Sequence, residues 1–315
     1  MAGGTRRVLK WAGIAVGTLV GVVVLAAGSA YGVSEYRIGR KFDVKPAPLR
    51  VGSDSATLAR GAHIATTRGC SDCHGANLGG KTFISDAAMG HLYAANLTRG
   101  EGGVGREFTD TDWVRAIRHG VRRNGLSVLF MPSQEYTGMS DDDLAALVAY
   151  LKSLPPVDNA QPASSVGPLG RALFVAGQLP LLPAELIDHA APRPSSAPTG
   201  RTVANGAYIV EGCKGCHGAA LAGGKIPGTP PEFPPAANIT PDRATGIGAW
   251  TEADFVRALR TGRRPDGREL RAEFMPWKNF AHFTDDELAA MWMYLRTVPA
   301  RPHGAKPEAK VASAD

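Results

Sequence analysis

The strongest pattern along the chain is an apolar run near its amino terminus. Residues 11–33, WAGIAVGTLVGVVVLAAGSAYGV, contain no charge, and residues 1–10 carry three basic side chains and no acid. At about 1.5 Å per residue, a helix of this length crosses the roughly 30 Å hydrocarbon core of a bilayer. We therefore predict a transmembrane anchor at 11–33 and a cytoplasmic flank at 1–10, because basic flanks stay inside.

A signal peptide is the alternative interpretation of this run. The small residues Gly28, Ser29 and Ala30 resemble a cleavage site, but the apolar part of a signal is usually shorter, about 7–15 residues. We favour an uncleaved anchor. Both interpretations place the rest of the chain outside the cytoplasmic membrane, so the predicted location is a single-pass inner-membrane protein whose body faces the periplasm or outer side.

The polar and apolar pattern after residue 53 occurs twice. AANLTRGEGGVGREFTDTDWVRAIRHG at 94–120 matches AANITPDRATGIGAWTEADFVRALRTG at 236–262, and the match extends to both sides of these segments. Self-similarity at one spacing indicates a duplicated domain. We predict domains at 54–157 and 201–301.

Each repeat shows helical signals. Apolar positions such as Leu144, Leu147, Val148 and Leu151 recur at helical spacing. Four hydroxyl residues each precede an acid by three positions, as in a capping box. They are Thr109 with Asp112, Ser140 with Asp143, Thr251 with Asp254, and Thr284 with Glu287. No useful alternating strand pattern appears, so the predicted fold is mainly α.

A Cys-x-x-Cys-His pentad occurs once in each repeat and uses every cysteine of the chain: Cys70 and Cys73, then Cys213 and Cys216. A zinc site needs a second pair nearby, and a thioredoxin-like redox pair needs a preceding strand; neither context is present. The pentad is typical of c-type haem attachment. We expect two covalently attached haems c, with His74 and His217 as the proximal iron ligands.

One methionine stands at an equivalent place in each repeat. Met131 lies 57 residues after His74, and Met275 lies 58 residues after His217, both in Phe-Met-Pro. A thioether is a soft ligand, and His/Met coordination raises the reduction potential of a haem. We predict Met131 and Met275 as the distal ligands.

The remaining segments differ in composition. Residues 158–200 are rich in proline and small residues around an apolar centre at 166–190, which predicts a linker whose centre packs as a strap across both domains. Docking of a redox partner is the alternative role for this strap. Residues 302–315 are predicted to be a disordered tail.

Each repeat resembles a class I cytochrome c domain. The resemblance rests on CHGANLGG, AANITPDRATGIGAWTEADFVRALRTGRRPDG, EFMPW and FTDDELAAMWMYLRTVP. As a whole, the chain is similar to the membrane-bound cytochrome subunits of periplasmic alcohol, aldehyde and gluconate dehydrogenases. That resemblance implies a dehydrogenase or other redox protein as electron donor, and a cytochrome, terminal oxidase or quinone as acceptor. The best-known subunits of this kind carry three haems, whereas this chain has two pentads.

These features favour an electron-transfer protein without catalytic residues of its own. A haem enzyme, such as a dihaem peroxidase or a thiosulfate-oxidising cytochrome, is the alternative and would need an open iron position. The net charge of +6 forms no basic stripe, so no nucleic-acid partner is expected. The pentads also differ in charge, since Asp72 lies in the first and Lys214 in the second, which predicts opposite charges at the two attachment sites.

Overall fold

The first element is a single long helix. The computed structural model describes residues 2–307, with side chains from residue 6 onward. Helix α1, Ala2–Ile38, is long and apolar enough to cross a membrane. Its side chains are exposed up to Val33 except for the half-buried Ala30, and Ser34 is fully buried. Helix α1 continues beyond the end of the apolar run because its last turn packs against the body of the protein.

The first domain is built from four helices. They are α2 (Ser55–Thr67), α3 (Cys70–His74), α4 (Asp110–His119) and α5 (Asp141–Ser153). Helix α2 crosses α5 at Gly61, where a Cβ would lie 2.0 Å from the Ala146 carbonyl oxygen and 2.7 Å from the Cβ of Tyr150. Only glycine allows this approach. The core of the domain, centred on Trp113, Leu144 and Val148, lies between these helices.

A small antiparallel sheet departs from the predicted all-helical pattern. Strands β1 (Lys81–Asp86) and β2 (Gly90–Ala94) form a hairpin, and β3 (Ser165–Val166) pairs with β2. The prediction missed the hairpin because β1 is exposed at nearly every position and shows no alternation. Strand β3 adds a third strand and stabilises the hairpin, since an isolated two-stranded hairpin is marginally stable in water.

The predicted strap follows β3 and contains α6 (Pro168–Val175). Phe174, Leu179, Leu181 and Leu182 form a separate apolar cluster that also packs against the end of α1. The strap contacts both domains. In the first, the Phe130 N–H donates a 2.8 Å hydrogen bond to the carbonyl of Leu181; in the second, Gly228 lies against Pro180.

The second domain repeats the first. Its helices are α7 (Val203–Val210), α8 (Lys214–His217), α9 (Glu252–Thr261), α10 (Trp277–Phe280) and α11 (Asp285–Leu295). At Gly206 a Cβ would lie 1.9 Å from the Ala290 carbonyl oxygen, so α7 crosses α11 as α2 crosses α5. Short 3₁₀ turns lie at Val104–Arg106, Ser133–Glu135, Pro183–Glu185 and Glu211–Cys213. The mainly helical fold is as predicted, with the sheet as its one addition among the described residues.

The first residues of the predicted tail pack on the second domain. Gly304 N–H bonds the carbonyl of Ala222, and the His303 ring nitrogen Nε2 lies 3.0 Å from the carbonyl oxygen of Ala236. The predicted start of disorder at residue 302 is therefore too early. Residues 308–315 of that tail lie outside the described residues.

Three of the four predicted capping boxes form in both directions, at Thr109, Thr251 and Thr284. At Ser140 only half of the box forms. Its hydroxyl accepts from Asp143 N–H at 3.1 Å, but its own N–H donates to the Tyr208 hydroxyl of the second domain at 3.0 Å. Tertiary contact between the domains has replaced the local bond.

Equivalent residues meet across the domain interface. Tyr208 donates a 2.6 Å hydrogen bond to Asp143, and His63 Nε2 lies 2.9 Å from Glu287. In the repeat, His63 corresponds to Tyr208 and Asp143 to Glu287. Each domain thus contacts the other with the same two positions, as in an isologous dimer with two-fold symmetry.

Candidate functional site

Each pentad forms a short helical turn. Cys70, Cys73 and His74 lie on α3, and their equivalents lie on the 3₁₀ turn before α8 and on α8 itself. A left-handed glycine, Gly75 or Gly218, follows each histidine and ends the turn. All four cysteines are unpaired. Burial raises the pKa of the first thiol of each pentad, Cys70 and Cys213, to about 12, so both are neutral thiols.

Both pentad histidines are oriented in the same way. His74 Nδ1 lies 2.8 Å from the carbonyl oxygen of Ala95, and His217 Nδ1 lies 2.7 Å from that of Ala237. A carbonyl can only accept, so Nδ1 carries the proton and Nε2 keeps its lone pair for a metal. Burial lowers the pKa of both imidazoles, against the opposing effect of the carbonyl bond, and keeps them neutral.

A buried asparagine after each alanine fixes these carbonyls. Asn96 Nδ2 donates to the carbonyl of Val157 and Asn238 Nδ2 to that of Arg301, both at 2.6 Å. Each side-chain oxygen also accepts from the backbone of the threonine two residues on, at 2.9 Å. Neither asparagine is among the site residues predicted from the sequence. The AAN tripeptide present in both repeats was the available signal.

The predicted methionines lie in the same cores as the pentads. Met131 and Cys70 both pack against the first-domain cluster, and Met275 and Cys213 both pack against the second. Met139, close to Met131 in the chain, is instead buried in the core beside Leu144. The structure thus brings each pentad and the following Phe-Met-Pro segment into contact with the core of the same domain.

The two methionine loops have different backbones. Phe130 adopts a left-handed conformation with φ of 63°, which is unusual for a bulky residue. Its N–H is held by the Leu181 carbonyl of the strap, and its ring lies 5.4 Å from that of Phe83 on β1. In the second domain the Phe274 N–H donates to the carbonyl of Arg271 in its own loop, and the Phe274 ring packs on that of Phe233. Within residues 2–307, the strap therefore forms a backbone hydrogen bond to the first methionine loop but not to the second.

An unpartnered buried N–H group, on Trp113, indicates whether the first domain is suited to hold a haem. Trp113 is 2% exposed, and its indole Nε1 has no hydrogen-bond partner among the described residues. A buried donor without an acceptor is costly. A haem would supply carboxylate acceptors through its propionates. Together with free thiols and a neutral imidazole, this donor fits a haem. No group of three or more His, Cys, Asp or Glu side chains suited to a bare metal ion occurs within residues 2–307.

The charges at the two attachment turns differ from the sequence expectation. Lys214 is paired with Glu211 at 2.5 Å. The carboxylate of Glu135, from the first domain, lies over Gly215, where a Cβ would be 2.1 Å from Oε1. At the first turn Asp72 accepts from Asn279 of the second domain at 2.6 Å. The guanidinium of Arg68, also from the first domain, lies against Gly212 of the second turn. The second attachment turn therefore carries charges of both signs rather than the single positive charge expected from Lys214.

These turns also complete the two-fold relation between the domains. Glu135 and Asn279 occupy equivalent positions, four residues after Met131 and Met275. Each touches the attachment turn of the opposite domain. Burial raises the pKa of Glu135 to about 7, opposed by nearby Arg68.

Comparison with known proteins agrees with this geometry. The cytochrome c family model matches residues 58–155 and 203–299. The chain is 30% identical over 286 residues to the alcohol dehydrogenase (quinone) cytochrome c subunit of Gluconobacter oxydans, covering 80% of this chain and 57% of that protein. It is 28% identical to the gluconate 2-dehydrogenase cytochrome c subunit of Pantoea cypripedii, covering 79% and 61%. The chain thus spans about three fifths of the length of these relatives.

A relative of similar length is the diheme cytochrome c-type protein of Cereibacter sphaeroides. It is 27% identical over 288 residues, which cover 82% of this chain and 91% of that protein. The family match covers both pentads, both histidine-orienting alanines and both methionine loops. The chain therefore belongs to the cytochrome c family and contains two tandem cytochrome c domains.

Proposed function

We propose that the chain is a membrane-anchored electron-transfer protein that holds two haems c and relays single electrons at the outer face of the cytoplasmic membrane. We take residues 54–157 and 201–301 as its two haem domains. The anchor is α1, and the inner membrane is the proposed location. The names of the relatives favour a dehydrogenase as donor, and we place this donor in the periplasm. A further cytochrome, a terminal oxidase or a quinone is the proposed acceptor.

The proposed residues fall into two equivalent sets. Cys70 and Cys73 would hold the first haem by thioether bonds, with His74 and Met131 at its iron. The second set is Cys213, Cys216, His217 and Met275. Each haem, when bound, would supply one-electron oxidation and reduction.

The protein's part is orientation and the exclusion of water. The carbonyls of Ala95 and Ala237 hold the histidine rings so that Nε2 faces away from the backbone. Asn96 and Asn238 fix those carbonyls. The strap holds the backbone before Met131. A side chain that cannot rotate needs little reorganisation when the charge beside it changes.

The observation that carries this proposal is the duplication of one arrangement. In both domains a carbonyl orients the pentad histidine and a methionine packs into the same core as the first cysteine. An enzyme would need one domain to depart from it.

The test is spectroscopic and uses the purified full chain. We expect two haems per chain that stay attached on a denaturing gel, and a ferric spectrum with the charge-transfer band of methionine-bound iron from both. One haem per chain, or a high-spin ferric haem that reacts with peroxide, would contradict the relay and favour a haem enzyme.

A further inference from the structure

The body of the protein meets α1 where the apolar run ends. The described side chains of α1 are exposed up to Val33 except for the half-buried Ala30, and the next residue, Ser34, is fully buried. The structure therefore marks a level along α1 at which a bilayer would give way to protein. Any surface at this level would lie in the headgroup region of the membrane that α1 is proposed to cross.

Helix α6 of the strap lies beside α1 at that level. Arg171 stacks over the ring of Tyr31, with its guanidinium carbon 4.4 Å from the ring centroid, and donates to the Ser34 hydroxyl at 2.8 Å. Further along both helices, Arg37 lies over Phe174 at 3.9 Å. The two helices thus run in the same direction, and the first turn of α6 points toward the membrane end of α1.

The outward face of α6 carries no charge. Leu169, Ala172 and Ala176 are exposed at helical spacing, while Arg171 turns inward to α1. Outside α1, the large hydrophobic side chains most exposed within residues 39–307 are five. They are Phe83, Leu169, Leu186, Val203 and Met293. Leu169 and Leu186 both belong to the strap, and Leu186 follows Glu185, which pairs with Arg37 of α1 at 2.5 Å.

The tip of the β1–β2 hairpin reaches the same place. The Leu169 N–H donates to the carbonyl of Ala88 at 2.9 Å, and the Gly167 N–H to that of Met89 at 3.0 Å. Ala87 and Ala88 at this tip are exposed. The neighbouring Asp86 is also exposed, and its carboxylate accepts from the N–H groups of Ala88 and Met89 at 2.9 and 2.7 Å. The apolar surface therefore extends from the first turn of α6 onto the hairpin.

We propose that α6 and the hairpin tip form a membrane-contact surface, with Leu169 and Ala172 resting in the headgroup region of the bilayer crossed by α1. This inference rests on the proposed membrane anchor. Lipid is the occupant because the outward face of α6 is uncharged and its first turn is continuous with the end of the apolar span, which matches the hydrocarbon core in length. The charged side chain of α6, Arg171, contacts α1 and does not face outward.

The surface decides which domain lies nearest the membrane. Behind α6, Leu181 of the strap cluster accepts from the N–H of Phe130, the residue before Met131. Leu129 and Phe130, the two residues before Met131, thus pack against the same cluster as α6, so the first domain lies beside the proposed membrane-contact surface.

The accessibility of this surface can be measured with single introduced cysteines. In the proposed holoprotein the four native thiols are bonded to haem and do not react. We choose three apolar positions of similar exposure. Val20 on α1 is 55% exposed, Leu169 on α6 is 47% exposed, and Val203 on the second domain is 40% exposed. The variants Val20→Cys, Leu169→Cys and Val203→Cys are placed as full-length holoprotein in nanodiscs of phosphatidylethanolamine and phosphatidylglycerol. A water-soluble maleimide then reports the modification rate by mass spectrometry.

The thiolate is the reactive form and needs water. We expect cysteines at 169 and 20 to react at least about tenfold more slowly than cysteine at 203, a difference that would correspond to shielding by lipid. Ala172→Cys on the same face should follow position 169. An unchanged haem spectrum verifies the fold of each variant.

Each contrary result has a separate meaning. Fast modification at 169 with slow modification at 20 overturns the surface and leaves the anchor standing. Fast modification at 20 overturns the anchor and the surface together. Protection at 169 in native membranes but not in nanodiscs means that a protein partner covers α6, which overturns the assignment to lipid.

Discussion

Tyr208 of the second domain donates a 2.6 Å hydrogen bond to Asp143 of the first. Asp143 also accepts from Arg60 at 2.5 Å, so its carboxylate is shared between its own domain and the other. The same position in the second domain, Glu287, receives His63. The two positions that pair across the interface are therefore the same in both domains, and the interface is self-complementary.

Removing the Tyr208 hydroxyl should loosen this interface. We expect Tyr208→Phe to lower the free energy of unfolding by about 1–2 kcal/mol, as for a half-buried hydrogen bond to a charged group. A double-mutant cycle with Asp143→Asn in denaturant unfolding should show strong coupling. Tyr294→Phe, which removes a hydroxyl away from the interface, is the control. Additive effects of Tyr208→Phe and Asp143→Asn would mean that the bond contributes nothing.

The two methionines should each control one potential. Met131→Ala and Met275→Ala should leave two haems attached, and each should lower one of two reduction potentials by on the order of a tenth of a volt, because axial ligands set haem potentials over a range of about 0.8 V. Redox titration of the holoprotein measures this. Met139→Leu, a change in the buried core near Met131, should move neither potential. An unchanged titration for Met131→Ala would remove that residue from the ligand set.

Glu135 should tune the haem of the opposite domain. Its pKa is raised by burial to about 7, so it becomes an anion as pH rises through about 7, and a nearby anion disfavours reduction. The potential that falls in Met275→Ala should therefore decrease with rising pH across this range. Glu135→Gln should abolish the decrease and, above pH 7, favour reduction by about tenfold, equal to about 59 mV.

The control for this prediction is Glu211→Gln. Glu211 is on the same attachment turn but is half exposed and paired with Lys214, so its removal should have a smaller effect. A shift of the other potential in Glu135→Gln would show that the contact acts on its own domain rather than across the interface.

His119 should make the protein sensitive to acid. Its Nδ1 lies 3.1 Å from Nδ1 of His189, whose Nε2 bonds the carbonyl of Ala184. Burial and the neighbouring His189 lower the pKa of His119 to about 4, against about 6.5 in an unfolded chain. Between these values the unfolded state binds more protons, so stability falls as pH falls from about 6.5 to about 4, by roughly 3 kcal/mol in total.

The variant His119→Asn keeps a donor where Nδ1 lies and removes the titration. We expect its free energy of unfolding, measured in denaturant at several pH values, to lose most of this slope. His282→Asn, outside the pair, should keep the slope. An unchanged slope in His119→Asn would assign the acid sensitivity to other groups.

Features governed by neighbours in the chain were predictable. The helix starts at Thr109, Thr251 and Thr284 formed as expected because a capping box needs only residues three apart. The close crossings at Gly61 and Gly206 are what the resemblance to class I cytochrome c domains implies for the first and last helix of each repeat. The pentads could be assigned to haem attachment for the same reason, because each consists of five consecutive residues.

Features governed by distant partners were not predictable. Strand β1 is too exposed to show a pattern, and it exists because β2 pairs with the strap. The capping box at Ser140 is half replaced by Tyr208, which is distant in sequence. The role of Asn96 depends on the carbonyl of Val157, beyond the reach of any local motif.

The sequence by itself determined a mainly helical chain with one apolar helix, two repeated domains, and in each a pentad and a Phe-Met-Pro segment, because these are short-range patterns. Only the tertiary structure decided how the charges are distributed. The sequence suggested that Lys214 sets the charge of the second attachment turn, but Glu135 and Arg68 of the first domain also lie against this turn. Electrostatic interactions depend on distance in space, and the two-fold packing of the domains sets that distance.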